Sequence, residues 1–549
     1  MIDGDTSARE REDRLAQSFL NGHIDRRTLL RRGAAMTVSG GLLASLLAAC
    51  GGTSSSSVGA TTSTAASPAS GTAGGMLKAA LTGEPDSLDP AKSQIYTAAQ
   101  VYDNVFSKLV DLDDKQQFYG VLATKWTQPD PKTWVFELRD GVTFHNGDAF
   151  TAKDVKYTFE RIVAKKTASG YASLYAVIDR VQVNSPTKVT FHLKTSFGPF
   201  LANLANNGEI VNQRSIEAKG SARKPVGTGP FAFVEWVQGD HLTLKKFPGY
   251  FEPGKPALDG VTFRFANVDQ GRIDGLRSGD LDWVDAVPLQ QVTVVKKDPS
   301  FTYVSSAIAG IPDFLTLNMK KPPFDNKALR QAIALVVDRQ EISQVAYFGT
   351  GDTGGEEVPS SSKWFTGANP YKSSNVAAAK AKMKEAGLAN GLTISYLGLP
   401  QYPELLKTGQ VVREQLKKIG ITMKIQQVDV SVWFDRFSKG EFQITSAYQE
   451  RTIDPDNFYS LVLKSGGSIN TSGYASKQAD ALIVQAARET DEAKRKALYA
   501  QLKKIVWEDS PLVFTHYETL NYLMRKPVTG STITPTLELR LGNVGIAKS

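Results

Sequence analysis

The sequence predicts a mixed α/β chain of two or three domains. Three observations predict it. Strand-like and helix-like apolar periods interleave from Met76 onward, a β–α–β series is readable between Leu392 and Tyr448, and 549 residues exceed one ordinary domain.

Taken in order, Trp134, Phe136 and Leu138 alternate with Val135, Glu137 and Arg139, the period of a half-buried strand. Asn146-Gly147 supplies a turn. Thr151 is then placed as a helix N-cap, with Asp154 three residues on, close to a capping box. Val155, Phe159 and Ile162 form one apolar stripe on the helix that follows.

Further along, Leu392 to Leu399 reads as a strand and residues 402 to 419 as a helix, with Leu405, Val412, Leu416 and Ile419 on one face. Gly420 stops that helix, as Gly commonly does at a C-terminus. Ile421, Met423 and Ile425 alternate in the next strand, and Phe442 to Tyr448 makes a third. Residues 476 to 509 read as two helices broken near Thr490. Such alternation predicts parallel sheet covered by helices. No internal repeat is visible. Pro and Gly cluster at 225 to 230, 248 to 256 and 310 to 323, the candidate crossings between lobes.

Hydrophobic residues make up 41% and charged residues 22%, the balance of a globular chain and not of a fibrous or disordered one. The net charge is +8; the first 49 residues carry seven Arg and six acids, so the remainder carries +7. Those charges are spread without a Lys/Arg block, which argues against a nucleic-acid partner.

The first 75 residues read as an address. Arg26-Arg27-Thr28-Leu29-Leu30-Arg31 resembles a twin-arginine export motif, and 17 uncharged residues from Gly33 to Ala49 follow. Leu47-Ala48-Ala49-Cys50 is similar to a bacterial lipobox. The uncharged run is short and built of small side chains, so it suits a cleaved signal better than a permanent span of about 20 apolar residues. Residues 1–49 are thus expected to be a lipoprotein signal peptide, with Cys50, the one cysteine, carrying the lipid. Residues 50–75 are rich in Gly, Ser, Thr and Ala and form a tether, because they bury too little apolar surface to offset ordering. The expected location is the outer face of the bacterial cytoplasmic membrane, at the cell surface or in the periplasm.

No catalytic constellation appears. His145, His192, His241 and His516 stand far apart, without partners at metal-ligand spacing, so no metal and no cofactor is expected. His145 beside the Asn146-Gly147 turn reads as a surface residue. There is no Gly-x-Ser-x-Gly elbow, and Gly227-Thr228-Gly229-Pro230 lacks the Gly-Lys-Ser/Thr of a phosphate loop. The expectation is a binding protein and not an enzyme, with a secreted hydrolase or peptidase as the alternative from another class. A signalling or adhesion receptor is a further one.

From about residue 80 to 525 the chain resembles the extracellular solute-binding proteins of the peptide/nickel/oligopeptide class. The residues that carry this are Glu84-Pro85-Asp86-Ser87-Leu88-Asp89-Pro90, Leu122-Ala123-Thr124-Lys125-Trp126, and the run from Trp134 to Asp148 with Thr151-Ala152-Lys153-Asp154-Val155. Val226-Gly227-Thr228-Gly229-Pro230-Phe231, Ser278-Gly279-Asp280-Leu281-Asp282 and Pro323-Phe324-Asp325 follow. Arg330-Gln331-Ala332-Ile333, Val337-Asp338-Arg339 and Asp454-Pro455-Asp456 complete the order. Most of these residues are expected to hold the fold, Arg330 by pairing with an acid.

The resemblance implies a two-lobed periplasmic-binding-protein type II fold with an additional inserted domain. Lobe one would take 76–110, 226–312 and 521–549, the inserted domain 111–225, and lobe two 313–520. It implies a monomer that captures a peptide or peptide-like solute for the permease and ATPase of an ABC importer. In peptide-binding relatives the ligand lies between strand edges. Here Ser93-Gln94-Ile95-Tyr96 corresponds to one edge and Tyr448-Gln449-Glu450-Arg451-Thr452 to the other, so Gln94, Tyr96, Tyr448, Glu450 and Arg451 are the candidate ligand-binding residues. Trp364, Phe365 and Trp433 are candidate pocket walls.

The chain departs from the family at Arg451, which stands where dipeptide receptors place an aspartate that binds the peptide's amino group. Glu450 could take that role, Arg451 could pair with a ligand carboxylate or phosphate, or Arg451 could pair with Glu450 or Asp454. The expectation is that Arg451 faces the cleft and favours an anionic group. An opine- or sugar-linked anionic solute is the second ligand class.

Overall fold

The computed structural model describes residues 74–547, apart from 219, 267 and 450–452. The predicted signal peptide and tether, with Arg26, Arg27 and Cys50, lie outside the described residues, as do Glu450 and Arg451.

The first strands are β1 (Met76–Leu81), β2 (Val110–Leu112), β3 (Phe118–Gly120), β4 (Ala123–Asp130) and β5 (Thr133–Leu138). Next come β6 (Ile178–Ser185), β7 (Lys188–Leu193), β8 (Phe231–Val237), β9 (His241–Lys246), β10 (Gly260–Phe265) and β11 (Trp283–Asp285). Then follow β12 (Phe301–Leu317), β13 (Leu392–Gly398), β14 (Ile421–Gln427) and β15 (Ile444–Tyr448). The last are β16 (Leu512–Arg525), β17 (Val528–Thr529) and β18 (Gly545–Ile546).

Ten of them pair in the order β14-β13-β15-β12-β16-β11-β1-β10-β9-β8. The sheet is mixed, not simply parallel. β1 pairs with β10 and β11, and β13 with β14 and β15, all parallel, but β12 and β16 run antiparallel through the middle. These two strands are the longest of the sheet, at 17 and 14 residues. Their ladder runs from Phe301↔Arg525 to Ser305↔Asn521, slips, and resumes at Gly310↔Thr519. A slip of this size bends the pair locally.

On the β11-β1-β10 side, helix α1 (Tyr96–Tyr102) is buried almost throughout. Gln100 Nε2 donates to the Leu537 carbonyl (2.8 Å) and Asn104 Nδ2 to that of Leu539 (2.7 Å), which fastens the C-terminal segment over the helix.

The inserted domain is a four-stranded sheet, β4-β5-β7-β6, covered by helix α2 (Ala152–Val163). The capping box forms as the spacing predicts: Thr151 accepts from Lys153 N, and Asp154 accepts from Thr151 N. Trp134, Phe136 and Leu138 all point inward from β5, and Phe136, Phe159 and Phe200 meet Phe191 edge-on at 5.1–5.6 Å. Such pairs add roughly 0.5–1.5 kcal/mol each beyond their area burial.

On the other side, helix α3 (Pro403–Lys417) lies on β13, β14 and β15 with Leu405, Val412 and Leu416 buried. Gly420 follows at φ +84°, a conformation that glycine adopts without strain. Helices α4 (Lys477–Arg488) and α5 (Glu492–Asp509) break at Thr490 as the pattern predicts. Among the described residues, no helix is long and apolar enough to cross a membrane.

Candidate functional site

The signature motifs turn out to be joints. In the opening motif, Glu84 accepts from Trp236 Nε1 (2.8 Å) and Gly239 N (3.0 Å), and Asp86 accepts from Ser93 Oγ (2.6 Å). Asp89 meets the Arg161 guanidinium of α2 through both oxygens, so this carboxylate pins the inserted domain to lobe one. The glycines of Val226-Gly227-Thr228-Gly229 allow close backbone approach. A β-carbon on Gly227 would overlap the Val105 carbonyl, and one on Gly229 would come within 2.7 Å of the Asn104 carbonyl oxygen.

His145 is not the surface residue its turn suggested. Gly227 N donates to its Nδ1 (3.4 Å), Nε2 meets the Gly229 carbonyl oxygen (3.0 Å), and burial pulls its pKa down to about 4. It is a neutral strut between two motifs. Arg330 does not bond to an acid. It donates to the backbone carbonyls of Phe324 and Asp325, just before its own helix, and to that of Asp509, at the C-terminal end of α5.

The Asp-Pro-Asp motif sits at the start of a short helix, with Asp454 as its N-cap. Asp454 accepts from both terminal nitrogens of Arg495 (2.8 and 2.9 Å), and both side chains are buried. Burial opposes the charge on Arg495, and Asp454 outweighs it and raises the guanidinium above its ordinary value. Asp456 is pushed up to about 6, first by burial and then by the charge of Asp454. Nearby, Lys503 lies within 2.7 Å of Glu356 and 2.9 Å of Glu357, while Tyr459 donates to Glu357 at 2.9 Å. Spacing could not reveal this network, because its members come from three distant stretches.

Of the candidate ligand residues, Tyr96 and Tyr448 are half-buried against one shared hydrophobic core. The Tyr448 hydroxyl stands 3.3 Å from that of Tyr402, and the Tyr96 hydroxyl 3.5 Å from that of Tyr522. Neither partner was legible in sequence, at separations of 46 and 426 residues. Gln94 lies elsewhere, against Gly170 of the inserted domain.

Only one of the two expected strand edges is a strand. Tyr448 ends β15 opposite Asp313 of β12, and Gln449 N donates to the Pro312 carbonyl (3.2 Å). Ser93 to Ile95 form no strand, and Tyr96 opens α1. The reason is local: Ser93 N is spent on the Asp89 carbonyl and Ile95 N on Ser93 Oγ, so these donors cannot join a ladder.

Among the pocket-wall candidates, Trp433 is core, with Nε1 on Thr445 Oγ1 (3.0 Å) and its ring stacked on Phe437. Trp364 lies between lobe two and the inserted domain, beneath Arg495. There the two bodies touch directly. Gly198 N donates to the Ala487 carbonyl (2.8 Å), Ser196 Oγ donates to the Arg488 carbonyl, and Lys363 N donates to Gln116 Oε1 (3.4 Å). Away from this junction, the carboxylates of Asp103, Glu209 and Glu538 come within 4.8 Å of one another beside Lys108, which pairs with Glu538.

Known proteins resemble the chain over most of its length, among them the three that follow. The glutathione-binding protein GsiB of Pectobacterium atrosepticum is 25% identical over 474 residues, 82% of this chain and 90% of that one. The solved structure of AgaA from A. tumefaciens R10, in complex with agropinic acid, is 28% identical with a TM-score of 0.73, covering 86% of this chain and 99% of its own. That of DppA from Helicobacter pylori, in complex with the peptide STSA, is 26% identical with a TM-score of 0.73, covering 87% and 99%. Residues 117–470 match the family described as bacterial extracellular solute-binding proteins, family 5 Middle, and the chain belongs to that family.

Proposed function

We propose that the chain captures a peptide or peptide-like solute between its two lobes and delivers it to the permease and ATPase of an ABC importer. The observation that carries this is the two-lobed fold, crossed by β12 and β16, in a member of a solute-binding family. The glutathione-binding relative and the peptide-bound DppA support a peptide-like ligand. In this reading lobe one takes 76–110, 226–312 and 521–549, the inserted domain 111–225, and lobe two 313–520. The slip between Ser305 and Gly310, opposite Asn521 and Thr519, supports a hinge near the 312/313 and 520/521 boundaries. Cys50 carries the lipid that tethers the monomer to the outer face of the membrane, behind the Arg26-Arg27 signal. Mass spectrometry of the membrane fraction tests that part, and an intact N-terminus or an unmodified Cys50 refutes it.

The second reading is an anionic, opine-like solute. Arg451 before Asp454-Pro455 favours it, as does the agropinic acid complex of AgaA. Asp454 is already engaged bidentately by Arg495, which favours Arg451 turning to the ligand. Native mass spectrometry of freshly purified protein identifies the carried solute. Calorimetry on Arg451→Ala is then expected to show a loss of about 2–5 kcal/mol, roughly 30-fold or more in affinity. Unchanged affinity returns Arg451 to a structural role. Turnover of a peptide mixture, instead of retention of unaltered ligand, overturns the binding reading itself.

A further inference from the structure

The last carbonyls of a helix have no partner within it and are satisfied from outside. At the end of α4 the partners come from two bodies. Arg495 Nε of α5 donates to the Ala486 carbonyl (3.1 Å), Gly198 N to that of Ala487 (2.8 Å), and Ser196 Oγ to that of Arg488. The last two donors belong to the inserted domain, in the segment that leads into its helix Phe200–Asn207.

Apolar packing contributes little to this junction. The hydrophobic cluster of the inserted domain, built on Phe136, Phe159, Phe191 and Phe200, is separate from those of lobe two. Beside the capping bonds the two surfaces part around a cavity of about 130 Å³, with Leu201, Trp364, Glu492 and Arg495 among its lining. Lys363 N reaches Gln116 Oε1 across the same junction (3.4 Å). Surfaces held by a few hydrogen bonds beside a cavity separate far more readily than a shared core does.

On the lobe boundaries proposed above, these bonds close a ring. Asp89 and Arg161 pin the inserted domain to lobe one, and β12 and β16 join lobe one to lobe two. Lobes that swing apart about those strands must therefore part the junction at α4. We propose that Ser196-Phe197-Gly198 is a clasp, which caps α4 in trans while the two bodies are docked and yields both caps to water when they part. Each capping bond is worth little net of water, so the clasp biases the docked state without locking it. The inference rests on the two-lobe reading and not on the identity of the solute.

The test is hydrogen exchange in the purified chain, resolved to single amides by mass spectrometry, for wild type, Ser196→Ala and Ser196→Thr. Gly198 and Lys363 are the reporting amides, since each donates across the junction from its own body. In Ser196→Ala both should exchange about 5-fold faster, as the loss of one hydrogen bond requires, while β5, β6 and β7 keep their wild-type rates. Ser196→Thr keeps the hydroxyl and should restore both amides.

An unchanged rate at Gly198 in Ser196→Ala overturns the clasp, as does a rise at Gly198 that Lys363 does not share. A Ser196→Ala chain that fails to fold, or a rise that spreads through β5 to β7, overturns it too, because either places the serine in the fold of the inserted domain. The exchange test needs no solute. A clasp that fails it leaves the binding reading standing, and a chain that passes it but retains no solute loses the binding reading alone.

Discussion

The contact between Gly198 and lobe two makes closure testable by a single methyl group. A β-carbon at position 198 would overlap the Glu489 carbonyl oxygen and stand 2.8 Å from Arg495 Nε, and its three nearest neighbours all belong to lobe two. The β-carbon would stand 2.2 Å from that oxygen, and the overlap is relieved by moving the two bodies apart by about 1.5 Å, given the 3.5–4.0 Å optimum for non-bonded heavy atoms. That shift breaks the Gly198 N to Ala487 carbonyl bond and the Ser196 to Arg488 bond beside it. At about 1 kcal/mol each, Gly198→Ala disfavours the docked state by about 2 kcal/mol, or roughly 30-fold. If the solute binds the docked state, its apparent affinity falls by up to that factor. Small-angle scattering should show a larger radius of gyration, and calorimetry with the carried solute a weaker Kd. The melting temperature of the unliganded chain should change little, because the collision is between bodies and not within one. Wild-type affinity and wild-type dimensions in Gly198→Ala would refute the reasoning.

Other expected outcomes follow from the buried charges. Arg495→Met leaves the buried Asp454 side chain without its partner, so denaturant unfolding should show a loss of about 3–5 kcal/mol. Asp456, with its pKa raised to about 6, holds its proton more tightly folded than unfolded. Its protonation therefore contributes stability that is present below about pH 4 and lost as pH rises through 6. Asp456→Asn should be more stable than wild type by about 3 kcal/mol at pH 7.5, and the advantage should vanish near pH 4. His516, stacked on Tyr347 and pulled down to about 3 by burial, has the opposite sign. Its neutrality contributes stability above about pH 6.5 that is lost on acidification, and His516→Gln should flatten the acid limb of the stability profile by up to about 1.4 kcal/mol per pH unit.

Period and spacing by themselves determined the local elements. The Thr151 capping box, the β5 alternation and the α3 stripe with its Gly420 stop all stand where the pattern puts them. These are decided by neighbours within a few residues, so the chain states them locally. The ordered motifs likewise named the family. What their residues do was decided only in three dimensions. His145 was misread from its local surroundings because its partner Gly229 is distant along the chain, and Arg330 because its acceptors are backbone carbonyls, one of them at distant Asp509, which side-chain charge does not announce. The expected edge at Ser93 to Tyr96 fails because side-chain and turn bonds consume its backbone donors. The tyrosine pairs at Tyr448 and Tyr96, the Lys503 network and the docking of Gly198 on lobe two join residues up to hundreds of positions apart. No period or motif encodes such contacts. Burial selects them when two separately folded surfaces meet.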